Sequence, residues 1–240
     1  MMNYLPAGLD LTKAAAIVLI FALWGLYAPL LKIVGKGSLN TQLHAVRMQW
    51  LRMNQQSERE HRVFDALLLG HISSSISYFG SATLLVLAGL VGTLVNVNRV
   101  YDMTRDLKFL APMSADLFAL YFAVETLILT LSFLAFTYAL RKMAYTFALL
   151  GGLAEAPTAS PEGNVMVEQT ATVLTEAVRS INNGIRGFYY AIAALFLFAG
   201  PFICIGATLI VTGILFYRQI FSPTAVAIDR YVKALTKIGN

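Results

Sequence analysis

Four long runs of apolar residues alternate with polar stretches along this 240-residue chain. The runs cover residues 14–34, 66–95, 116–140 and 187–217. A helix rises about 1.5 Å per residue, so each run is long enough to cross the roughly 30 Å hydrocarbon core of a bilayer. The pattern therefore predicts a single-domain, all-α integral membrane protein with four transmembrane helices.

Two of the polar stretches carry apolar residues at helical spacing. In residues 38–65 these residues form one stripe, which contains Leu39, Leu43, Val46, Trp50 and Met53. In residues 164–183, and just beyond, a second stripe contains Val167, Ala171, Leu174, Val178, Ile181 and Ile185. Such periodicity predicts two amphipathic helices, which we expect on the cytoplasmic side. They could pack on the membrane, on a neighbouring subunit or on each other.

The composition agrees with this interpretation. Hydrophobic residues make up 58% of the chain and charged residues 13%, whereas soluble domains contain about 45–50% and about 25%. The net charge is +5, but the bases lie mostly beside the apolar runs, which predicts contact with lipid and not with nucleic acid. The single cysteine, Cys204, excludes an intrachain disulfide. The first apolar run lacks an Ala-x-Ala-like cleavage site, so we interpret it as a retained span.

The distribution of bases predicts the orientation in the membrane. Four spans place both termini on one side of the membrane. The first and third linkers carry ten bases, and the opposite side carries eight. The positive-inside rule therefore favours both termini outside, although the basic tail after Arg218 argues against it.

The third span contains one internal charge, Glu125, which is the main functional candidate. It lies about 13 Å along the helix axis, not far from the membrane midplane. An ionised carboxylate there costs several kcal/mol or more unless it is paired, hydrated or protonated. Tyr121 and Ser132 share its face of the helix, together with Phe118, Ile128, Leu129 and Phe136. No cation lies on this helix, so a partner must come from another helix or from water.

The second span has a polar face near its start. It contains His71, Ser74, Ser75 and Tyr78, with Ser81 at its margin. Small residues and hydroxyls permit close packing of helices. The same residues could instead line a path for a substrate or an ion, and the sequence leaves both interpretations open.

The fourth span contains Gly200 and Pro201 near its centre. Proline lacks a donor and leaves the carbonyl of Leu197 free, so we expect a kink. Cys204 and Thr208 follow on the Pro201 side, and Thr208 lies at the depth of Glu125, where it could donate to the carboxylate. A broken helix of this kind can bind ions or polar substrates, or the hydroxyls simply satisfy the backbone.

Three polar residues are expected near the cytoplasmic surface. Asn183 suits a helix end, Arg186 precedes the aromatic residues 188–190, and His71 begins the second span. An aromatic belt with an anchoring arginine is one interpretation. Contact of Arg186 with an acidic lipid headgroup or an anionic substrate is the other.

No catalytic constellation or cofactor site is predicted. Glu58 and His61 have the i, i+3 spacing found at di-metal sites, and His44, Asp65 and His71 lie nearby. Such sites need a second motif and more carboxylates, so we interpret the pair as part of a solvated face and predict no metal. No Ser/His/Asp set, phosphate-binding loop or HExxH pattern is present.

Several short stretches resemble the family known as domain of unknown function 599. They are Trp50 with Met53, Asp65-Ala66, residues 79–85, residues 183–190, and Gly200-Pro201. The resemblance implies a four-span membrane protein of bacteria or plants, here expected in the bacterial inner membrane, and it implies no activity.

Three functions remain open from the residues. The first is an oligomeric channel or transporter for a small cation or proton, in which Glu125 binds the ion and hydroxyl groups line the route. The second is a non-catalytic scaffold or regulatory subunit that holds Glu125 protonated. The third, a membrane-embedded metalloenzyme, is the least supported.

Overall fold

The computed structural model describes residues 6–34, 37–56, 59–153 and 160–238, with the side chains of 54–64 and 238 left out. Within these ranges the chain is helical and contains no strand. The helices are α1 Leu11–Ile33, α2 Leu39–Gln56, α3 Arg59–Val95, α4 Val97–Thr104, α5 Ala115–Leu153, α6 Pro161–Leu195, α7 Pro201–Ile220 and α8 Pro223–Ile238.

Four of the described stretches are long and apolar enough to cross a membrane. They are Leu11–Ile33, Asp65–Val95, Ala115–Leu153 and Pro201–Lys237. The first three agree with the predicted spans. The all-α fold is confirmed, and these helices indicate an integral membrane protein.

The predicted fourth span, residues 187–217, differs from the structure. Helix α6 runs through Asn183 without a break and ends at Leu195. Residues 196–199 form tight turns, and Gly200 has a φ of +130°, a conformation that favours glycine. Pro201 then begins α7. The carbonyl of Leu197, predicted to be free, accepts a hydrogen bond from the Gly200 amide at 3.2 Å.

The chain forms two compact units. Unit 1 contains Met1–Leu30, Ser81–Leu134 and Gly184–Phe216. Unit 2 contains Leu31–Gly80, Ala135–Asn183 and Tyr217–Asn240.

In unit 1, the end of α6 and α7 form an antiparallel hairpin. The hydroxyls of Tyr190 and Thr212 are 3.0 Å apart. Nearer the turn, the Cys204 thiol lies 3.6 Å from the Ala193 carbonyl oxygen. The sequence separation within these pairs shrinks from Tyr190–Thr212 to Ala193–Cys204, so the chain must reverse direction at residues 196–200. Gly200 and Pro201 thus form part of a turn between two helices, not a kink within one.

The contacts of unit 1 also define its two ends. At the first end, Ser114 donates to the carbonyl of Ala7, and the Ala111 amide donates to the Phe198 carbonyl. At the second end, the Tyr27 hydroxyl donates to the Leu215 carbonyl. Five helical segments, from α1, α3, α5, α6 and α7, connect these ends. The chain therefore enters and leaves unit 1 at opposite ends.

Close approach of helices holds the second end of unit 1 together. A Cβ placed on Gly187 in α6 would overlap the Ser132 hydroxyl of α5 and lie 3.1 Å from the Trp24 ring of α1. The Trp24 ring also stacks on Tyr190, with centroids 6.3 Å apart. Glycine at position 187 is therefore required for the three helices to meet.

In unit 2, the two predicted amphipathic helices pack together. Leu51 of α2 forms a buried cluster with Leu153, Val167 and Ala171. The stripe predicted on α6 faces inward, since Val167, Ala171 and Leu174 are buried.

The stripe predicted on α2 is only partly correct. Met53 is 60% exposed, and the buried side of α2 includes Asn40. This side packs against Thr175 of α6, and α8 also contacts α2. Polar groups therefore occupy part of the interface, for reasons that hydrophobic periodicity does not detect.

Candidate functional site

Glu125 lies in the interior of unit 1, on the buried face of α5. It is 3% exposed. The other predicted members of this face are also buried, among them Phe118, Tyr121, Ile128 and Ser132. The face that the sequence groups around Glu125 is therefore buried in the structure, a question that the sequence left open.

The carboxylate of Glu125 is incompletely satisfied. Among the residues that the structure describes, its Oε1 atom has no hydrogen-bond partner. The Thr208 hydroxyl, predicted as a donor to this group, donates instead to the Cys204 carbonyl at 2.8 Å. A buried polar atom without a partner is costly and uncommon, so it often marks a site that acts on water, ions or protons.

Buried polar side chains continue from Glu125 along α7. Cys204 of α7 is fully buried and lies within electrostatic range of Glu125. Thr208 and Thr212 follow at intervals of four residues, and both are buried. Residues four apart on a helix have side chains about 5–6 Å apart, a distance that one water molecule can bridge. We name Tyr121, Glu125, Cys204, Thr208, Thr212 and Tyr190 the polar file.

The polar file ends near an arginine at the second end of unit 1. The Tyr190 hydroxyl bonds Thr212 and is close enough to Arg186 for electrostatic interaction. The Arg186 guanidinium lies 4.7 Å from the centre of the Tyr27 ring, in a cation–π arrangement. Tyr190 is fully buried, so it is not part of the predicted aromatic belt.

At the first end of unit 1, a set of aromatic rings contacts both Tyr121 of the polar file and the lining of a pocket. The Phe198 ring contacts Phe118, Tyr121 and Phe122, with centroid distances of 5.0–5.5 Å. Phe118 also lines a pocket of about 230 Å³ between α4 and α5, beside Arg105 and other residues of that connection. We name the Phe118, Phe122 and Phe198 rings the aromatic cluster. The aromatic cluster thus connects the lining of this pocket with Tyr121, which lies one helical turn before Glu125 on α5.

The polar residues predicted on α3 are exposed. His71, Ser74, Ser75 and Ser81 all lie on its outer side, and Tyr78 is 71% exposed. The Ser75 hydroxyl donates to the His71 carbonyl of its own helix. These residues do not line an internal path within one chain. Asn183 is likewise exposed, in the middle of α6.

The described residues contain no group of three or more His, Cys, Asp or Glu placed to hold a metal ion. The predicted pair Glu58 and His61 lies outside the side chains that the structure describes. Asp65, which neighbours this pair in sequence, accepts a hydrogen bond from the Trp50 indole at 3.1 Å.

Sequence reasoning missed Tyr27 and misplaced Tyr190. Both are tyrosines in or beside apolar runs, where an interfacial position is the usual expectation. One signal was present for Thr212, because it extends the spacing of Cys204 and Thr208 by one turn. No sequence signal indicated that α6 turns back along α7, and this hairpin brings Tyr190 to Thr212.

Comparison with known proteins gives one match. A family model with the description "Protein of unknown function, DUF599" matches residues 15–224, which is most of the chain. No curated protein and no solved structure matches the chain.

Proposed function

The chain belongs to the DUF599 family of proteins of unknown function, and we propose that it moves protons across its membrane, with Glu125 as the proton-carrying group. One observation carries this proposal: an acid buried to 3% exposure, with an unpartnered oxygen, stands within a file of buried polar side chains. An acid with a purely structural role would be expected to have its hydrogen bonds completed by its neighbours.

A proton fits this site better than a metal cation. Hard cations such as Ca²⁺ or Mg²⁺ require about six oxygen ligands. Here the Thr208 and Thr212 hydroxyls both donate to carbonyls of their own helix, at 2.8 and 2.7 Å. A proton needs only one acceptor at a time and can pass between hydroxyl, thiol and carboxyl groups that water bridges. Glu125 supplies the one carboxyl group in the polar file.

The proposed route runs from the pocket beside Phe118 to Arg186. Protons would pass the aromatic cluster at Tyr121, bind to Glu125 and continue along the α7 hydroxyls to Tyr190. The fixed charge of Arg186 would favour release of the proton at that end, since it disfavours a second positive charge. The aromatic cluster would limit water entry, so that a carrier group is required.

The proposal is tested by proton flux into vesicles that contain the purified protein. A potassium gradient with valinomycin drives the flux, and a trapped pH-sensitive dye reports it. We expect Glu125→Gln to abolish flux and Glu125→Asp to reduce it. Glu168→Gln is the matched control, because Glu168 is an exposed acid on α6.

A second candidate function is a membrane scaffold in which Glu125 stays protonated. The observation that favours it is that Glu125 does not line the pocket between α4 and α5. Absence of flux from wild-type vesicles, with Glu125→Gln folded and equally stable, would support the scaffold. Loss of flux in Glu125→Gln but not in Glu168→Gln would exclude it.

We further propose that the N-terminus is outside and the C-terminus is cytoplasmic. With five passages through unit 1, its first end carries only four bases, Lys13, Arg99, Arg105 and Lys108. The other fourteen of the 18 bases lie at its second end or in segments that leave from it. Fourteen bases on one side against four on the other satisfy the positive-inside rule far better than the ten against eight of the four-span arrangement. Reporter fusions to the two termini should therefore report opposite sides; identical results would contradict the five passages.

We retain a homo-oligomer in the bacterial inner membrane as part of the proposal. The exposed polar face of α3, which includes Ser74, Ser75 and Tyr78, supports contact with a second copy, because polar side chains favour helix–helix contact over lipid. Cross-linking of a Ser74→Cys variant in membranes tests this, with Ile72→Cys as the control, because Ile72 is 38% exposed and lies on the opposite side of α3 at a similar depth. Equal cross-linking of both variants would argue against that interface.

A further inference from the structure

A group of polar side chains lies between α2 and α6 in unit 2. Asn40 Nδ2 donates to the Thr175 carbonyl at 3.0 Å. Arg47 Nη1 donates to the Thr175 hydroxyl at 3.0 Å and to the Asn40 carbonyl at 3.1 Å. His44 Nδ1 lies 3.0 Å from the same hydroxyl. Three residues of one α2 face thus converge on one residue of α6.

Arg47 brings a charge into this interface without an opposite charge. None of the described carboxylates forms an ion pair with it. The nearest acid in sequence to its contact residue is Glu176, which pairs with Arg179 at 2.5 Å and Lys142 at 3.7 Å. Burial lowers the pKa of Arg47, yet a guanidinium remains protonated in proteins. Its Nη1 protons are used, which leaves Nε and Nη2 as donors without a partner among the described residues.

Asn40 contributes an acceptor atom without a donor, whereas Arg47 contributes donors without acceptors. It is 6% exposed, and its Oδ1 has no hydrogen-bond partner among the described residues. Rotating the amide would place Oδ1 against the Thr175 carbonyl oxygen, so the orientation with Nδ2 toward Thr175 is fixed by the network. Oδ1 therefore needs a donor from outside the described network.

A ligand that completes this site must be an anion that also carries a hydrogen-bond donor. Planar guanidinium groups favour phosphate and carboxylate oxygens, which they bind through two parallel hydrogen bonds. We propose that Asn40, His44 and Arg47 bind a phosphate group bearing a nearby O–H or N–H. Phosphatidylglycerol and phosphatidylethanolamine headgroups have this chemistry, and so does singly protonated inorganic phosphate. Phosphatidylcholine lacks the donor.

The site is independent of Glu125, because every residue in it belongs to unit 2. It is tested with the full-length protein in detergent, by native mass spectrometry during titration with each of the three lipids. Thermal unfolding with inorganic phosphate forms the second arm. Loss of charge-assisted hydrogen bonds predicts weaker binding by on the order of 10- to 100-fold in Arg47→Gln. Arg52→Gln is the matched control, since Arg52 is exposed on the same helix.

We expect wild type and Arg52→Gln to bind phosphatidylglycerol or phosphatidylethanolamine more tightly than phosphatidylcholine. A response to inorganic phosphate alone, lost in Arg47→Gln, would identify free phosphate as the source and support the same site. Should Arg47→Gln fail to fold, Arg47→Lys provides the second test, because it keeps the positive charge but cannot form two parallel hydrogen bonds to a phosphate, so binding should weaken. Equal binding of all three lipids, or no change in either variant, would overturn the proposal.

Discussion

Replacement of Gly187 by alanine should destabilise the protein through a single added methyl group. The new Cβ would overlap the Ser132 hydroxyl and lie 3.0 Å from the Ser132 Cβ. Rotation of the Ser132 side chain would remove the first clash but not the second, and it would break its hydrogen bond to the Ile128 carbonyl. The Trp24 ring, 3.1 Å away, is held by its stacking on Tyr190, so it cannot move freely.

The change in the free energy of unfolding of Gly187→Ala results from two opposing effects. Overpacking of a well-packed interior costs about 1–3 kcal/mol. Alanine in place of glycine within a helix gains about 1 kcal/mol. Gly206 of α7 is the matched control, because a Cβ there meets nothing within 4 Å. The helical gain is common to both variants, so the free energies of unfolding should differ by about 1–3 kcal/mol, with Gly187→Ala the less stable.

Equilibrium unfolding in mixed micelles, followed by circular dichroism, measures this difference. In a Ser132→Gly background, Gly187→Ala should cost less stability than it does in wild type, because both clashing atoms of Ser132 are absent. Equal stability of Gly187→Ala and Gly206→Ala would refute the close approach of α5 and α6. An equal cost of Gly187→Ala in wild type and in Ser132→Gly would show that the Ser132 contact is not the cause.

Three further changes test other parts of unit 1. Tyr190→Phe removes the hydrogen bond to Thr212 and should cost about 1 kcal/mol in unfolding experiments, with slower proton flux if the polar file conducts. Asp10 accepts a hydrogen bond from the backbone amide of Lys13 in the first turn of α1, and this bond lowers the pKa of the Asp10 carboxyl. The resulting stabilisation of the folded protein is present above the unfolded pKa of about 3.9. It is lost as pH falls through the lower pKa of the folded protein. Thermal unfolding between pH 7 and pH 2 should therefore show less pH dependence in Asp10→Asn than in wild type. Phe198→Leu removes three ring contacts within the aromatic cluster and should raise proton flux. Phe202→Leu, at a 75% exposed position, is the control and should leave the flux unchanged. Equal flux in the two variants would argue against the aromatic cluster as a barrier to water.

Part of the candidate site was predictable from the sequence. Glu125 stands out because a charge in an apolar run is costly, and helical spacing gives the residues that share its face. Whether that face meets water or another helix was left open, and the structure shows that it is buried. The α3 hydroxyls were a weaker prediction, since serine suits packing, an internal path and exposure equally well. The donor predicted for Glu125 was wrong, because a threonine in a helix can bond its own backbone instead, as Thr208 does.

The polar contact between α2 and α6 could not be predicted from the sequence either. Hydrophobic periodicity identified both helices but assigned the wrong residues to part of the interface on α2. Asn40 is buried because Thr175 offers it a carbonyl oxygen, and Arg47 shares the same partner. Complementarity of this kind depends on the neighbouring helix, which a single-helix pattern does not contain.

The sequence by itself determined the class of the protein: helices, membrane spans, an acid at mid-depth and two amphipathic linkers. These follow from local composition, because backbone hydrogen bonding and the cost of charge in lipid act on each segment separately. Only the tertiary structure decided that the chain turns back at residues 196–200, that Tyr190 meets Thr212, and that Gly187 admits Ser132. Lipid tails and a protein interior are equally apolar, so hydropathy cannot distinguish a helix face that meets lipid from one that meets another helix. Shape and hydrogen-bond partners make that choice, and they exist only once the helices have assembled.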